Sequence, residues 1–241
     1  MWRISRISRV GLVSSTQDIA RSLPLPRDSL RVVIAEAQTR GRGRRGRVWH
    51  SPIGGLYMTI ILPEVEEVRL VPIMAGVSAV EAVREACGVE ASLKWPNDIM
   101  VGDRKLGGIL TEVLWMRDRP EKILLGIGIN VNNHIPGVLT SATNLSLELG
   151  GKVPLRELAL SLLDRVGDNL IVLKDEPREL LRRWKGLSTT LNRRVEVYDG
   201  ERILRGFAVD ISREGGLLLE ADDGLMHIVN GTIRYHCGGS K

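Results

Sequence analysis

Apolar residues stand at Leu70, Ile73, Met74, Val77, Val80 and Val83. This three-and-four spacing puts them on one stripe and predicts a core-packing helix from about Leu70 to Ala86. A second stripe of Leu155, Leu158, Leu162, Val166 and Leu170 predicts a helix from Pro154 to about Lys174, with Pro154 suited to its first turn. "SSTQDIARSL" predicts a shorter helix capped by Ser14 or Ser15. Between these lie β-branched or alternating runs that read as strands: residues 1–13, Leu30 to Ala37, Gly54 to Leu62, "ASLKW", "DIMV", "KLGGILTEVLW" and "KILLGIGINV". "VGDRK" and "MRDRPE" are turns, and "HIPGVLTSATNLS" reads as a long loop. After "LLRRWKGLST" the pattern changes to four short strand-like runs, "RRVEVYD", "RILRGFAVDIS", "GLLLEA" and "LMHIVNG". Such close spacing predicts a small β-barrel. The expected architecture is α+β, with a mixed central sheet flanked by helices over residues 1–188 and a β domain over 189–241.

Composition narrows the class. Hydrophobic residues make up 43% of the 241, enough for a buried core. No apolar run approaches the ~18 residues of a membrane span, and arginines interrupt the N-terminus where a signal peptide would be apolar. These features lead to the expectation of a cytoplasmic protein with no membrane partner. Cys87 and Cys237 are isolated, and His50, His134, His227 and His236 share no metal-ligand spacing, so no metal ligands are assigned. The histidines are expected to be structural or at the surface.

The net charge of +5 matters because of where it sits: "QTRGRGRRGRVW", Gln38 to Trp49, holds five arginines, three glycines and no acid. Guanidiniums bind phosphate in bidentate fashion, and glycine lets a backbone approach a ligand closely. A phosphate ligand, a nucleic acid or plain solvent are all open readings of this stretch. A loop of like charges should be mobile when empty and ordered when an anion neutralises it. It is not a P-loop, and "GIGINVN" lacks the third glycine of a dinucleotide fingerprint. Gly126 and Gly128 alternate on one strand face, leaving room for a flat ligand or for tight backbone packing. In "LKWPNDIMVGDRKLGGILTE", Pro96 biases Trp95 to extended geometry, which places Lys94 at a strand end beside a turn.

"EAQTRGRGRRGRVWHSPIGGLYMTIIL", "LKWPNDIMVGDRKLGGILTE" and "LLGIGINVNN" together, in this order, resemble the biotin protein ligases. The β-rich tail resembles that family's C-terminal SH3-like domain, and the likeness extends over nearly the whole chain. It implies a class II synthetase-like catalytic domain with an SH3-like barrel, and the monofunctional class without an N-terminal DNA-binding domain. It also implies the activity: biotin and ATP give biotinyl-5′-adenylate and pyrophosphate, and biotin then passes to a lysine of a biotin carboxyl carrier domain. Mg²⁺ is expected with the ATP, homodimerisation is common in the family, and no specific nucleic-acid partner is implied.

By motif, the resemblance makes Lys94 and Arg44 catalytic, Lys94 bridging the biotin carboxylate and the α-phosphate. It assigns biotin to Ser15, Thr16, Gln38, Arg42, Gly43, Gly126 and Gly128 as well. ATP falls to Arg44, Arg47, Trp49, Lys94 and Asn130. One departure stands out: Gln17 follows Ser15 and Thr16 where the family often has Asn, which leaves the role of position 17 open. Asp98 lies in the lysine motif without an assigned role. Two rivals remain: a lipoate–protein ligase-like enzyme, which shares fold and adenylate chemistry, and a basic nucleic-acid-binding protein, which would leave "KWPND" unexplained.

Overall fold

A computed structural model describes residues 3–25, 29–116 and 119–235. The chain opens with β1 (Arg3–Val13), α1 (Thr16–Ser22) and β2 (Ser29–Gln38), and the two strands pair in parallel. Next come β3 (Leu56–Leu62), α2 (Val71–Cys87), β4 (Ser92–Lys94), β5 (Asp98–Val101), β6 (Arg104–Met116) and β7 (Arg119–Ile129). These strands form a seven-stranded sheet in the order β1-β2-β3-β7-β6-β5-β4, antiparallel except for the first pair.

Strand alternation divides this sheet into two faces with different fates. Val32, Ile60 and Leu125 point to one side, where α2, α4 (Leu155–Asp175) and α5 (Pro177–Leu187) cover them. Each such buried aliphatic side chain contributes about 1.5–3 kcal/mol of transfer free energy. Val33, Ile61 and Leu124 point to the other side and form a small cluster with Ala20 of the short α1, flanked by Val10, Ile19, Leu23 and Leu114. Helix α1 is too small to cover that face. Its remainder, around Tyr57, Gly126 and Gly128, is left to line a cavity.

The expected helices form, with α2 at Val71–Cys87 and α4 starting just after Pro154. Three elements differ from the expectation. α5 is a full helix, because Pro177 fits its first turn and Leu180, Leu181 and Trp184 are buried against the core. The loop after β7 ends in α3 (Leu145–Leu149), whose Asn144 side chain caps it by accepting from Leu147 N. The tail carries five strands: β8 (Arg193–Tyr198), β9 (Ile203–Ile211), β10 (Leu217–Ala221), β11 (Gly224–Ile228) and β12 (Thr232–Tyr235). They form a separate antiparallel sheet in the order β11-β10-β9-β8-β12. This sheet shares the main core through Val195, Val197, Leu217, Leu219 and Ile233. Trp95, only 1% exposed, ties it to the large sheet by donating from Nε1 to Gly215 O at 3.0 Å.

Candidate functional site

Residues Ser15, Thr16, Gln38, Arg42, Gly43, Arg44, Arg47, Trp49, Lys94, Gly126, Gly128 and Asn130 all line one cavity of about 530 Å³. It opens on the half-covered face of the large sheet and reaches the C-terminal sheet at Gly231, Thr232 and Ile233. Its cations are Arg42, Arg44, Arg45, Arg47, Lys94 and Lys105, and the one carboxylate in its lining is Asp98. His50 stands exposed at this lining, His134 is exposed elsewhere, and His227 pairs with Ser212 at 2.9 Å. His236 and Cys237 lie outside the described residues.

One end of the cavity is neutral and polar. Gln38 Oε1 accepts from Thr16 N at 2.8 Å and from Thr16 Oγ1 at 3.2 Å, while Gln38 Nε2 donates to Ser51 Oγ at 2.9 Å. Thr59 Oγ1 donates to Thr16 Oγ1 at 2.8 Å. Ser15 caps α1 by accepting from Gln17 N, which leaves its own hydroxyl proton to give. Gln38 keeps a second N–H. Gln17, which sequence reasoning left without a role, is buried here. Its Nε2 donates to Leu110 O at 3.1 Å, and its Oε1 is buried with no partner. This end therefore offers two donors and one acceptor to a ligand.

The glycines do make room, and protein side chains use it in this ligand-free structure. A Cβ on Gly126 would lie 2.6 Å from Gln17 Nε2. Trp49 lies across Gly108 and Gly128, with Lys105 Nζ 5.4 Å from the centre of its ring.

The other end is cationic. The arginine loop turns through Arg45 and Gly46, both with positive φ (55° and 71°), and closes with Gly43 N donating to Arg47 O at 2.7 Å. A glycine suits the second of these positions because L side chains resist that region. Gly41 is needed for a different reason: a Cβ there would meet Trp49 O at 2.4 Å. In this structure the loop is held down on the tail. Arg44 donates to Asn97 Oδ1 at 3.1 Å and also to Asn230 Oδ1. Arg45 donates to the carbonyls of Tyr198 and Asp199, and Arg47 donates to Thr232 Oγ1 at 3.0 Å. Arg42 faces the opposite way and pairs with Asp18 at 2.5 Å and Glu112 at 3.5 Å. Burial, and then the neighbouring Arg45 charge, lower the Arg44 pKa from its usual value.

Lys94 closes β4 just before the Trp95–Pro96 turn, in register with Asp98. Burial lowers its pKa from the usual lysine value, with Asp98 acting the other way and Lys105 reinforcing the shift. Lys105 pairs with Asp98. Asn130 is engaged on both sides of its amide, donating to Thr143 O at 3.1 Å and accepting from Asn133 Nδ2 at 3.1 Å. Lys105, Asn133 and the tail residues were not assigned from sequence. Lys105 lies within the lysine motif, and the tail residues carry no local signal.

The arrangement pairs a urea-sized hydrogen-bonding end with a polyanion-sized cationic end. Residues 11–130 match the biotin/lipoate A/B protein ligase family, and residues 190–233 match the biotin protein ligase C terminal domain. The chain is 36% identical over 237 residues to the bifunctional ligase/repressor BirA of Bacillus subtilis, covering 92% of this chain and 71% of that protein. It is 33% identical over 199 residues to the biotin–[acetyl-CoA-carboxylase] ligase of Mycobacterium tuberculosis, covering 78% and 73%. Its fold is similar to the biotin protein ligase from Aquifex aeolicus solved in complex with biotin and ATP. That match has a TM-score of 0.86 and 31% identity over 96% of this chain and 100% of that one.

Proposed function

Because this chain belongs to the biotin/lipoate A/B protein ligase family, we infer that its cavity joins biotin to ATP. The protein is a biotin–protein ligase. It makes biotinyl-5′-AMP and pyrophosphate, then passes the biotinyl group to a lysine of a biotin carboxyl carrier domain. The observation that carries this reading is the cavity itself, with its neutral hydrogen-bonding end and a cationic end containing a single acid.

In the first step a carboxylate oxygen attacks the α-phosphorus and the bond to the β-phosphate breaks. The attacking group is already ionised near neutral pH, so no general base is needed. The barrier is repulsion between anions, and fixed positive charge is what lowers it. Lys94 bridges the biotin carboxylate and the α-phosphate, and Arg44 and Arg47 hold the phosphates. Arg42 and Gly43 face the biotin side of the loop. Trp49 stacks on the adenine, and Asn130 serves the nucleotide side while fixing the loop after β7. Ser15, Thr16 and Gln38 meet the ureido ring, and Gly126 and Gly128 leave space for it. A cyclic urea has one acceptor and two donors, which suits the spare Ser15 and Gln38 protons and the open Gln17 Oε1. In the second step the carrier amine attacks the acyl carbon, AMP leaves, and the amine proton goes to solvent.

Mg²⁺ comes with the nucleotide. Among the described residues no three His, Cys, Asp or Glu side chains gather to hold a metal, and Asp98 is taken by Lys105. Such an ion would be carried mainly by the phosphate oxygens and would add positive charge beside Arg44, Arg47 and Lys94. We read residues 1–188 as the catalytic domain and 189–241 as an SH3-like barrel. The separate five-stranded sheet and the family match over 190–233 support that division. No helix among the described residues is long and apolar enough to cross a membrane, and we place the enzyme in the cytoplasm. Strand β1 has one unpaired edge, which would serve a homodimer.

The test is to incubate the purified protein with biotin, MgATP and a carrier domain, following pyrophosphate release and lysine labelling. Lys94→Ala should lower adenylation by about 100-fold or more, in line with removing a preorganised charge, with an unchanged circular dichroism spectrum. Lipoate, whose ring offers no urea, should not replace biotin. Labelling with lipoate and not biotin would overturn the reading, as would normal turnover by Lys94→Ala.

A further inference from the structure

Lys94 reaches the cavity from a strand of only three residues at the edge of the sheet. Something beyond β4 has to hold its side chain. A carboxylate partner would do so at a cost, because it would neutralise the ammonium and consume the N–H donors that two substrate anions need. Among the described residues no carboxylate forms an ion pair with Lys94 and no hydrogen bond from its Nζ is found. The ammonium lies instead 4.3 Å from the centre of the Tyr235 ring, on β12 of the C-terminal sheet. A ring face attracts a cation through its quadrupole without forming a directional bond to its protons.

The ring is itself fixed. Thr189 N and Thr189 Oγ1 both donate to Leu93 O, at 2.8 and 3.2 Å, on the residue before Lys94. Since the Thr189 proton goes to Leu93, the Tyr235 hydroxyl donates to Thr189 Oγ1, at 2.9 Å. One threonine thus ties the backbone beside Lys94 to the phenol whose ring carries its ammonium. Arg193 packs 4.5 Å from the same ring centre and donates to Thr189 O at 3.2 Å, closing the frame from β8. Trp95, on the other side of Lys94, donates its backbone N–H to Thr190 Oγ1 at 2.9 Å.

We propose that Tyr235 is a positioning residue for adenylation: its ring holds the Lys94 ammonium at the cavity, charged and with its protons free for the two substrate anions. The C-terminal sheet thereby completes the catalytic lysine. This inference rests on the reading of Lys94 as the residue that bridges carboxylate and α-phosphate.

The experiment compares the full chain with Tyr235→Phe, Tyr235→Leu and Lys94→Ala in single-turnover adenylation, with biotin affinity measured by calorimetry. A further variant carries a pentafluorinated phenyl ring at position 235, which keeps the shape of phenylalanine and reverses the sign of its face. Tyr235→Leu should lower kcat roughly 5- to 30-fold, the range such a contact carries, with biotin affinity within about twofold. Tyr235→Phe keeps the ring and should retain most of the rate, and the fluorinated ring should behave like Tyr235→Leu while the protein stays folded. The alkaline limb of kcat should move to lower pH in Tyr235→Leu, because the ammonium loses a stabilising partner while Asp98, Asp103, Lys105 and Arg193 still surround it. Equal rates for the phenyl and fluorinated rings would refute the proposal, as would a Tyr235→Phe loss as deep as that of Tyr235→Leu. If Lys94→Ala is inactive and the ring variants are not, the positioning role falls alone. If Lys94→Ala is active, the reading of Lys94 falls with it.

Discussion

A Cβ on Gly128 would stand 2.6 Å from Trp49 Nε1 and 2.9 Å from Cε2, so glycine alone lets the indole lie against β7. On the far side of the ring system, a Cβ on Gly108 would lie 3.5 Å from Trp49 Cζ3, an ordinary contact. Gly128→Ala should displace the indole, which is too bulky to yield at its tip. We expect the KM for ATP to rise by about tenfold, the loss of roughly 1.4 kcal/mol of stacking, and biotin affinity to fall as well, since Gly128 also leaves space for its ring. Steady-state kinetics in both substrates, beside a Gly108→Ala control that stays near wild type, will check it. Equal effects of the two substitutions would remove Trp49 from the nucleotide side.

The arginine loop is expected from its charge to be mobile when empty, and the structure shows what restrains it. Arg44, Arg45 and Arg47 each donate to the C-terminal sheet. The double variant Asn230→Ala/Thr232→Ala removes both side-chain acceptors of Arg44 and Arg47 there, each a charged hydrogen bond of about 1.5–3 kcal/mol before solvent exposure reduces it. Trypsin should then cut within residues 40–47 several-fold faster than in the parent. Biotin with ATP should slow the cutting in both proteins. Cleavage rates that ignore the double substitution would show that the tail does not restrain the loop.

Those contacts also mark where sequence reading stops. The stripes of α2 and α4 are legible because a helix repeats its apolar spacing over many turns, and each site motif is legible because its residues are contiguous. Helix α5 is not legible because its three buried residues, Leu180, Leu181 and Trp184, are diluted by charge over eleven positions. Strand β12, four residues behind Gly231, carries too short an alternation to stand out. Arg44 meets Asn230 across 186 residues of chain, and Lys94 meets Tyr235 across a comparable distance. Neither partner belongs to a motif. Gln17 stands out in the sequence as a departure from the family pattern, but its role is not legible there because its burial depends on α1 lying against β6 and β7.

Gln17 gives the third prediction. A buried amide oxygen without a partner is costly, and ligand N–H groups are the natural remedy. Gln17→Met keeps the length and loses the acceptor, and should weaken biotin binding by about tenfold, the value of a hydrogen bond left unmade in a buried site. Thermal stability without ligand should hold or rise, because the unsatisfied oxygen is gone. Gly126→Ala should mimic the binding loss, since its Cβ would stand 2.6 Å from Gln17 Nε2. Calorimetry with biotin alone measures both variants. Full affinity in Gln17→Met would place the ureido ring elsewhere.

The last prediction concerns the cost of keeping Lys94 charged. Burial, the largest cause, holds its folded pKa below the usual 10.5, with Asp98 opposing. Between the folded value and 10.5 the unfolded chain binds more protons, so stability rises with pH across that window. The penalty is present in full below the folded pKa and is gone above the unfolded one. Lys94→Met removes the charge and keeps most of the apolar stem. It should therefore abolish adenylation while raising Tm at pH 7, by about one to a few degrees for a chain of this size. That advantage over the parent should shrink as pH climbs toward 10.5, since the parent then loses the same charge on its own. Binding of a non-hydrolysable adenylate analogue should reverse the order of stabilities at pH 7, because the anion bonds only the ammonium-bearing parent. Calorimetric melts of both proteins from pH 7 to 10, with and without analogue, supply the measurement. A Tm gap that stays constant across that range would show that desolvation of Lys94 is not what lowers its pKa.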